Sequence, residues 1–191
     1  GIGGALTSAL LGRTIRANLE KMARSFIIGE NSKDAIKTIG KIRKDGFAFT
    51  IDILGEATVN EAEAEAYMTQ YLQLFSALKE AAPTWQPLGG NGGGDWGHMP
   101  IINVSVKPSA LFSQTSPTDF EGSVSGILSR LTPIYQKVKE LNGFMCIDME
   151  SYKTKNITLE LYRRLRSAPE FRDYPGLRIA IQSYLKDTDA D

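Results

Sequence analysis

The chain has 191 residues, of which 42% are hydrophobic, so it is long and apolar enough to bury one real core. Lys and Arg total 22, as do Asp and Glu, so no net charge favours nucleic acid or an anionic membrane surface. The single cysteine, Cys146, excludes an internal disulfide and favours a reducing, cytoplasmic compartment. No stretch approaches the roughly 18 apolar residues of a membrane span, and the basic start of a signal peptide is missing.

Two helices are predicted before residue 47. In residues 7–28, apolar side chains recur at three- and four-residue steps, which is typical of an amphipathic helix. A second helix follows, with Asn31 or Ser32 as its N-cap, a basic last turn and Gly46 just beyond its end. We therefore expect residues 1–46 to form a helical segment that leads into the rest of the chain.

From residue 47 to residue 191, strand-like runs alternate with helical runs. The strand candidates are 47–54, 101–107, 144–150 and 178–184, and the helical runs between them are 60–81, 118–141 and 156–168. Pro133 should kink or split the second of these helices, because proline removes a backbone donor. The alternation implies a parallel sheet with right-handed crossovers, in either a doubly wound sheet or a β/α barrel.

The segment 83–100 is rich in glycine and has neither helical nor strand periodicity. Its glycines lack the GxGxxG spacing of a phosphate-binding loop, and a strand follows instead of a helix. We therefore predict a flexible surface connection. His98, the only histidine, lies here, and the sequence supplies no residues that would complete a metal site or a catalytic triad around it.

Each strand candidate has one apolar face and one face that ends in a polar residue. These polar residues are Asp52, Lys107, Asp148 and Gln182. In a doubly wound sheet helices cover both faces, which would blur such alternation. In a barrel, polar side chains at the carboxyl ends of the strands point into the mouth, where barrel enzymes hold their active sites. We therefore favour a barrel over a doubly wound sheet. The simpler alternative is that these polar residues only face solvent at the strand ends.

Lys107 is the cation of this set, and Asp148 is its candidate counter-ion across the barrel mouth. An ammonium held between opposite charges could bind a substrate carboxylate. An amine that had lost its proton could instead attack a carbonyl and form a Schiff base, as in a barrel lyase or aldolase. The spacing of the residues leaves both chemistries open.

Five motifs occur in the order and spacing of the proline dehydrogenases: "FIIGE", "DGFAFTIDILGEA", "NVSVKPSAL", "CIDMES" and "IAIQSYLKDT". Over nearly its whole length the chain resembles the proline dehydrogenase domain of the bifunctional proline utilization A flavoproteins. The resemblance implies a distorted (β/α)8 barrel of the TIM type that binds FAD noncovalently. It also implies oxidation of L-proline to pyrroline-5-carboxylate by hydride transfer to flavin N5.

The resemblance assigns roles to particular residues. Lys107 matches the lysine near the flavin and the proline carboxylate, and Asp148 matches the active-site aspartate close to that lysine. Gln182 matches a glutamine that hydrogen-bonds the isoalloxazine, and the backbone of Ala180 faces the flavin. Glu56 matches a glutamate that pairs with a substrate-binding arginine. Asp52 falls in the same motif without a definite role.

Only half of an eight-stranded barrel is expected in this chain, because four strand candidates are present. The later tyrosine and paired arginines that clamp proline in the family have no counterpart in this chain. Arg163 and Arg164 are a pair of arginines, but they lie on the helix before the fourth strand, on a face expected to be solvated. The chain therefore resembles a piece of the enzyme. A noncatalytic half-barrel is a further alternative.

The resemblance also bears on partners. It implies L-proline as the substrate and a quinone or another electron acceptor. It leaves open peripheral association of the parent protein with the inner membrane and an aldehyde dehydrogenase domain in the same polypeptide.

Overall fold

Four strands and five helices alternate along most of the chain in the computed structural model, which describes residues 2–23, 27–29, 31–55, 57–89, 95 and 99–191. The helices are α1 (Ile2–Ala23), α2 (Ser32–Lys44), α3 (Glu61–Ala81), α4 (Phe120–Glu140) and α5 (Lys155–Ser167). The strands are β1 (Ile51–Asp52), β2 (Asn103–Val106), β3 (Phe144–Ile147) and β4 (Leu177–Ile179).

The strands form one parallel sheet in the order β1-β2-β3-β4. Strand order follows chain order without reversal, as in a β/α barrel, whereas a doubly wound sheet reverses direction at a switch point. The expected α/β fold of the barrel type is therefore confirmed. The strands are shorter than predicted, with two to four residues each.

The apolar side of the sheet is packed against the helices. Val104, Val106, Met145 and Ile147 have no exposed surface, and they share one core with buried side chains of α3, α4 and α5. Full burial of one such side chain stabilises the folded state by about 1.5–3 kcal/mol. The predicted apolar faces of the two central strands are thus the faces that hold the sheet to its helices.

The second helix has the predicted caps. The Asn31 side chain accepts a hydrogen bond from the Asp34 backbone N–H at 3.0 Å. Gly46 has a φ of 87°, which favours glycine, and the N–H groups of Gly46 and Phe47 close the helix end onto earlier carbonyls. Ile39 is fully buried in the common core, so α2 packs on the barrel segment.

Pro133 does not split its helix. The helix runs without interruption from Phe120 to Glu140. Leu131 and Ile134, which flank the proline, are completely buried. Because packing of an apolar face supplies most of the stability of a helix in a protein, one missing backbone hydrogen bond is tolerated here.

The glycine-rich segment is anchored at Asp95, which is 3% exposed. Both oxygens of its carboxylate accept hydrogen bonds from the Arg43 guanidinium, at 2.6 and 2.8 Å. The guanidinium also lies 5.5 Å from the ring centroid of Trp85. The prediction of a flexible surface connection is therefore wrong at Asp95, because a buried ion pair holds this point of the loop against α2. His98 lies outside the described residues.

No helix among the described residues is long and apolar enough to cross a membrane.

Candidate active site

The parallel register brings the predicted polar residues together at the carboxyl ends of the strands. Asp52 is paired with Ser105 across β1 and β2, and Lys107 lies two residues further on the same face. Val106 is paired with Ile147, so the next residues along the two strands, Lys107 and Asp148, are also neighbours. The pairing of neighbouring strands therefore brings these residues together.

Lys107 lies between two carboxylates. Its ammonium donates a hydrogen bond to the Asp52 carboxylate, and it is 3.6 Å from Oδ2 of Asp148. A separation of 3.6 Å is an ion pair but is too long for a hydrogen bond. The side chain of Lys107 is 20% exposed, so the charge is partly shielded from water without being sealed off.

The protonation state of Lys107 follows from these neighbours. Partial burial alone would lower the pKa of Lys107, but the hydrogen bond to Asp52 and the charges of Asp52, Asp148 and Glu150 outweigh it, so the pKa is raised above its ordinary value. The amine is therefore an ammonium at neutral pH. A Schiff-base lysine needs a depressed pKa, so this geometry disfavours the lyase alternative.

The carboxylate of Asp148 is held in one orientation. Its Oδ1 accepts a hydrogen bond from Ser105 Oγ at 2.7 Å, which leaves Oδ2 facing Lys107. Ser105 is buried, and its backbone carbonyl accepts a hydrogen bond from the Tyr71 hydroxyl at 3.2 Å. Burial raises the pKa of Tyr71 well above its ordinary value, so this hydroxyl stays a donor. The Asp148 carboxylate is therefore fixed by groups that do not titrate near neutral pH.

The turn that follows Lys107 is fixed from two sides. The backbone N–H and the hydroxyl of Ser109 donate to the two oxygens of the Glu150 carboxylate, at 2.9 and 2.7 Å. The Ser109 carbonyl accepts from the Thr58 backbone N–H at 3.2 Å. The turn is therefore tied to the segments after β1 and β3, which fixes the direction in which Lys107 projects.

Three of these supporting residues were missed by the sequence analysis. Glu150 lies two residues after Asp148, so strand alternation was a signal that could have placed it at the same site. Ser109 and Tyr71 carry no such signal, because one lies in a turn and the other in an amphipathic helix whose contacts depend on tertiary packing.

Gln182 and Ala180 lie beside the end of β3. The Ala180 N–H donates to the Ile147 carbonyl at 2.9 Å and extends the sheet by one residue. The side-chain amide of Gln182 donates to the Met149 carbonyl at 3.1 Å. Both predicted cofactor-binding residues therefore lie at the same end of the sheet as Lys107.

Arg163 and Arg164, which were expected on a solvated face, do not join the cluster. Glu56 lies outside the described residues. Arg163 is exposed on α5. Arg164, on the same helix, pairs with Glu160 and Glu121, which are residues of α5 and α4.

The chain is similar to one protein family and to several known proteins. The model of the proline dehydrogenase family matches residues 35–191. The bifunctional protein PutA of Escherichia coli (strain K12) is 27% identical over 93% of this chain and 13% of its own length. The proline dehydrogenase of Deinococcus radiodurans is 27% identical over 78% of this chain and 42% of its own length. The chain thus spans less than half the length of these relatives.

The chain also resembles solved structures of proline utilization A proteins. The crystal structure of proline utilization A from Bdellovibrio bacteriovorus, inactivated by N-propargylglycine, matches with a TM-score of 0.88 and 37% identity. The match covers 95% of this chain and 19% of that protein. A mutant of the Bradyrhizobium japonicum protein, at 22% identity and a TM-score of 0.69, supports the fold alone.

Proposed function

The chain belongs to the proline dehydrogenase family, and we propose that the protein carrying it oxidises L-proline to pyrroline-5-carboxylate with FAD as cofactor. Residues 1–46 would be the helical lead and residues 47–191 the first half of the (β/α)8 barrel. One observation carries the proposal: an ammonium, that of Lys107, is held charged between two carboxylates at the carboxyl ends of adjacent parallel strands.

The residues present suit a flavin at this edge. An ammonium has three N–H donors, and Lys107 uses one of them for Asp52, so donors remain for a ligand. The side-chain amide of Gln182 donates to the Met149 carbonyl, and its side-chain oxygen receives no hydrogen bond from the described residues, so it can accept one from a ligand. The chemistry that FAD supplies when bound is acceptance of a hydride from the substrate ring carbon.

Lys107 would bind the carboxylate of proline. Asp52 and Asp148 keep the lysine charged, and Ser105 and Glu150 fix the groups around it, so the cation is oriented before substrate arrives. One cation and two carboxylates leave this cluster with a net charge of −1. That surplus favours the positively charged amine of the substrate. Glu56 would act separately, by pairing with a substrate-binding arginine.

The open edge of β1 indicates where the remaining strands would join. Within the described part of the chain, this strand is paired with β2 alone. A cleft of about 810 Å³ lies along it, lined in part by Thr50, Asp52 and Gln70. A barrel closes only when its last strand pairs with its first. We therefore propose that a later segment of the polypeptide fills this cleft.

The longer relatives suggest further partners for the parent protein. The match to proteins named bifunctional supports an aldehyde dehydrogenase domain in the same polypeptide. A quinone or another acceptor would then reoxidise the flavin, and that step would account for peripheral association with a membrane.

The test uses the intact protein purified without denaturation. We expect a flavin absorption spectrum that bleaches when L-proline is added without an electron acceptor. We also expect time-dependent inactivation by N-propargylglycine, the compound that inactivated proline utilization A from Bdellovibrio bacteriovorus. Absence of flavin, or a flavin indifferent to proline, would contradict the proposal. Borohydride trapping of a substrate adduct on Lys107 would favour the lyase alternative. If the intact protein has no strands beyond the four described, a noncatalytic half-barrel would be favoured.

A further inference from the structure

A second lysine is buried away from the cluster around Lys107. Lys155 is the first residue of α5 and is only 6% exposed. A cation at this position is disfavoured, because the amino terminus of a helix carries a partial positive charge. A buried ammonium at a helix start therefore needs strong compensation from nearby groups.

Two carboxylates from the end of the chain supply that compensation. The Lys155 ammonium lies 2.9 Å from Oδ2 of Asp187 and also pairs with Asp191. The Tyr152 hydroxyl donates to the same Asp187 oxygen at 3.2 Å. The hydrogen bonds to Asp191 and Asp187 raise the pKa of Lys155 above its ordinary value, so this lysine is an ammonium at neutral pH. The segment after β4 is thereby tied to the start of α5.

The anchored segment begins with Gln182. The backbone carbonyl of Gln182 accepts hydrogen bonds from the Thr188 hydroxyl at 2.8 Å and from the Leu185 N–H at 3.0 Å. Thr188 is adjacent to Asp187 in the chain. Residues 182–191 therefore form a closed series of turns, with Gln182 at one end and the carboxylates that bind Lys155 at the other.

Apolar packing contributes little to holding this segment. Strand β4 ends at Ile179, and beyond it Ile181 is 42% exposed and Tyr184 is 78% exposed. A segment with few buried apolar side chains opens locally at low cost. Its position on the protein must therefore depend on polar anchors such as Lys155.

We propose that Lys155 is a positioning residue for Gln182. By holding Asp187 and Asp191, it keeps the turns closed and presents the Gln182 side chain beside Met149, at the same end of the sheet as Lys107. The proposal rests on the proposed function, in which Gln182 contacts the flavin. Lys155 itself would touch neither cofactor nor substrate.

The test compares variants of the intact flavoprotein. In Lys155→Met we expect amide hydrogen exchange in residues 180–191 to be about tenfold faster, in both flavin-loaded and flavin-free protein. We expect FAD to bind roughly tenfold more weakly, while thermal unfolding of the flavin-free protein changes little. Lys155→Arg should restore both properties. Lys153→Met is the matched control, because that lysine is exposed on the turn before α5, and it should resemble the parent.

The outcomes separate this proposal from the proposed function. Unchanged exchange in residues 180–191 of Lys155→Met would overturn the anchoring role. Faster exchange with unchanged FAD affinity would overturn the positioning of Gln182. If Lys155→Met does not fold, the double variant Asp187→Asn/Asp191→Asn removes both ion pairs from the partner side and must give the same two changes. A parent protein without flavin would contradict the proposed function, whatever the exchange data show.

Discussion

Replacement of Lys107 by methionine should weaken the binding of substrate-like carboxylates to the intact protein. Loss of a hydrogen bond to a charged group costs about 1.5–3 kcal/mol, which corresponds to a roughly 10- to 150-fold loss of affinity. The structure places the effect toward the upper end. Without Lys107, the Asp52 and Asp148 carboxylates face the ligand with no cation between them.

The assay is titration of the flavin spectrum with a five-membered ring carboxylate that lacks the amine. Because the pKa of Lys107 is raised, the ammonium persists up to pH values above its ordinary pKa of 10.5, so affinity should be constant between pH 7 and 9. The corresponding methyl ester, which carries no negative charge, should distinguish little between the parent and Lys107→Met.

A second variant reverses the sign of the charge change. Asp52→Asn removes one negative charge beside Lys107 and should strengthen binding of the same carboxylate, whereas Lys107→Met weakens it. Unchanged affinity in Lys107→Met would refute the assignment of this lysine to the substrate carboxylate. Equal weakening in both variants would mean that the two residues matter for the shape of the site and not for its charge.

Three further predictions concern the charge network, the ion pair at the glycine-rich segment and the isolated chain. Asp148→Asn and Lys107→Met should be strongly non-additive in log kcat/KM, because both disturb one network; simple additivity would mean that they act separately. Asp95→Asn should cost about 3–5 kcal/mol, because it leaves the buried Arg43 charge unpaired, and should lower the thermal midpoint of the intact protein. Burial alone would raise the pKa of Asp95, but hydrogen bonds from Arg43 and a backbone N–H outweigh it and lower the pKa below its ordinary 3.8. The stability that this ion pair contributes is therefore present above about pH 4 and is lost as the pH falls through the lowered pKa. Residues 1–191 expressed alone should neither retain FAD nor show proline-dependent bleaching, because the cleft beside β1 is unfilled; stoichiometric flavin with bleaching would contradict this.

The parts of the fold that depend on local pattern could be predicted from the sequence. Strand alternation identified Val104 and Val106 as core residues and Lys107 as a residue of the opposite face, because side-chain direction in a strand is fixed by the backbone. The cap at Asn31 was predicted for a similar reason, since its hydrogen bond reaches only three residues along the chain. The family motifs then added the roles that periodicity cannot supply.

The parts that depend on distant contacts could not be predicted. Asp95 lies in a segment with no period, and it is buried only because Arg43, 52 residues earlier, pairs with it. Pro133 keeps a continuous helix because its neighbours are buried, which no local rule reveals. Asp52 was left without a definite role, yet it is the hydrogen-bonded partner of Lys107 because β1 pairs with β2 in this register.

The charge balance of the site sets a requirement on the rest of the protein. Lys107 with Asp52 and Asp148 gives a net charge of −1, and proline, the proposed substrate, is a zwitterion with no net charge. The lysine alone cannot attract a carboxylate strongly, because its field is already cancelled by its two neighbours at short range. Under the proposed function, we therefore expect a second cationic group from another part of the polypeptide to contact the same ligand. Under the proposed function the carboxylates would serve two purposes. They keep the lysine protonated, and they would make the site selective for a ligand that carries an amine beside its acid.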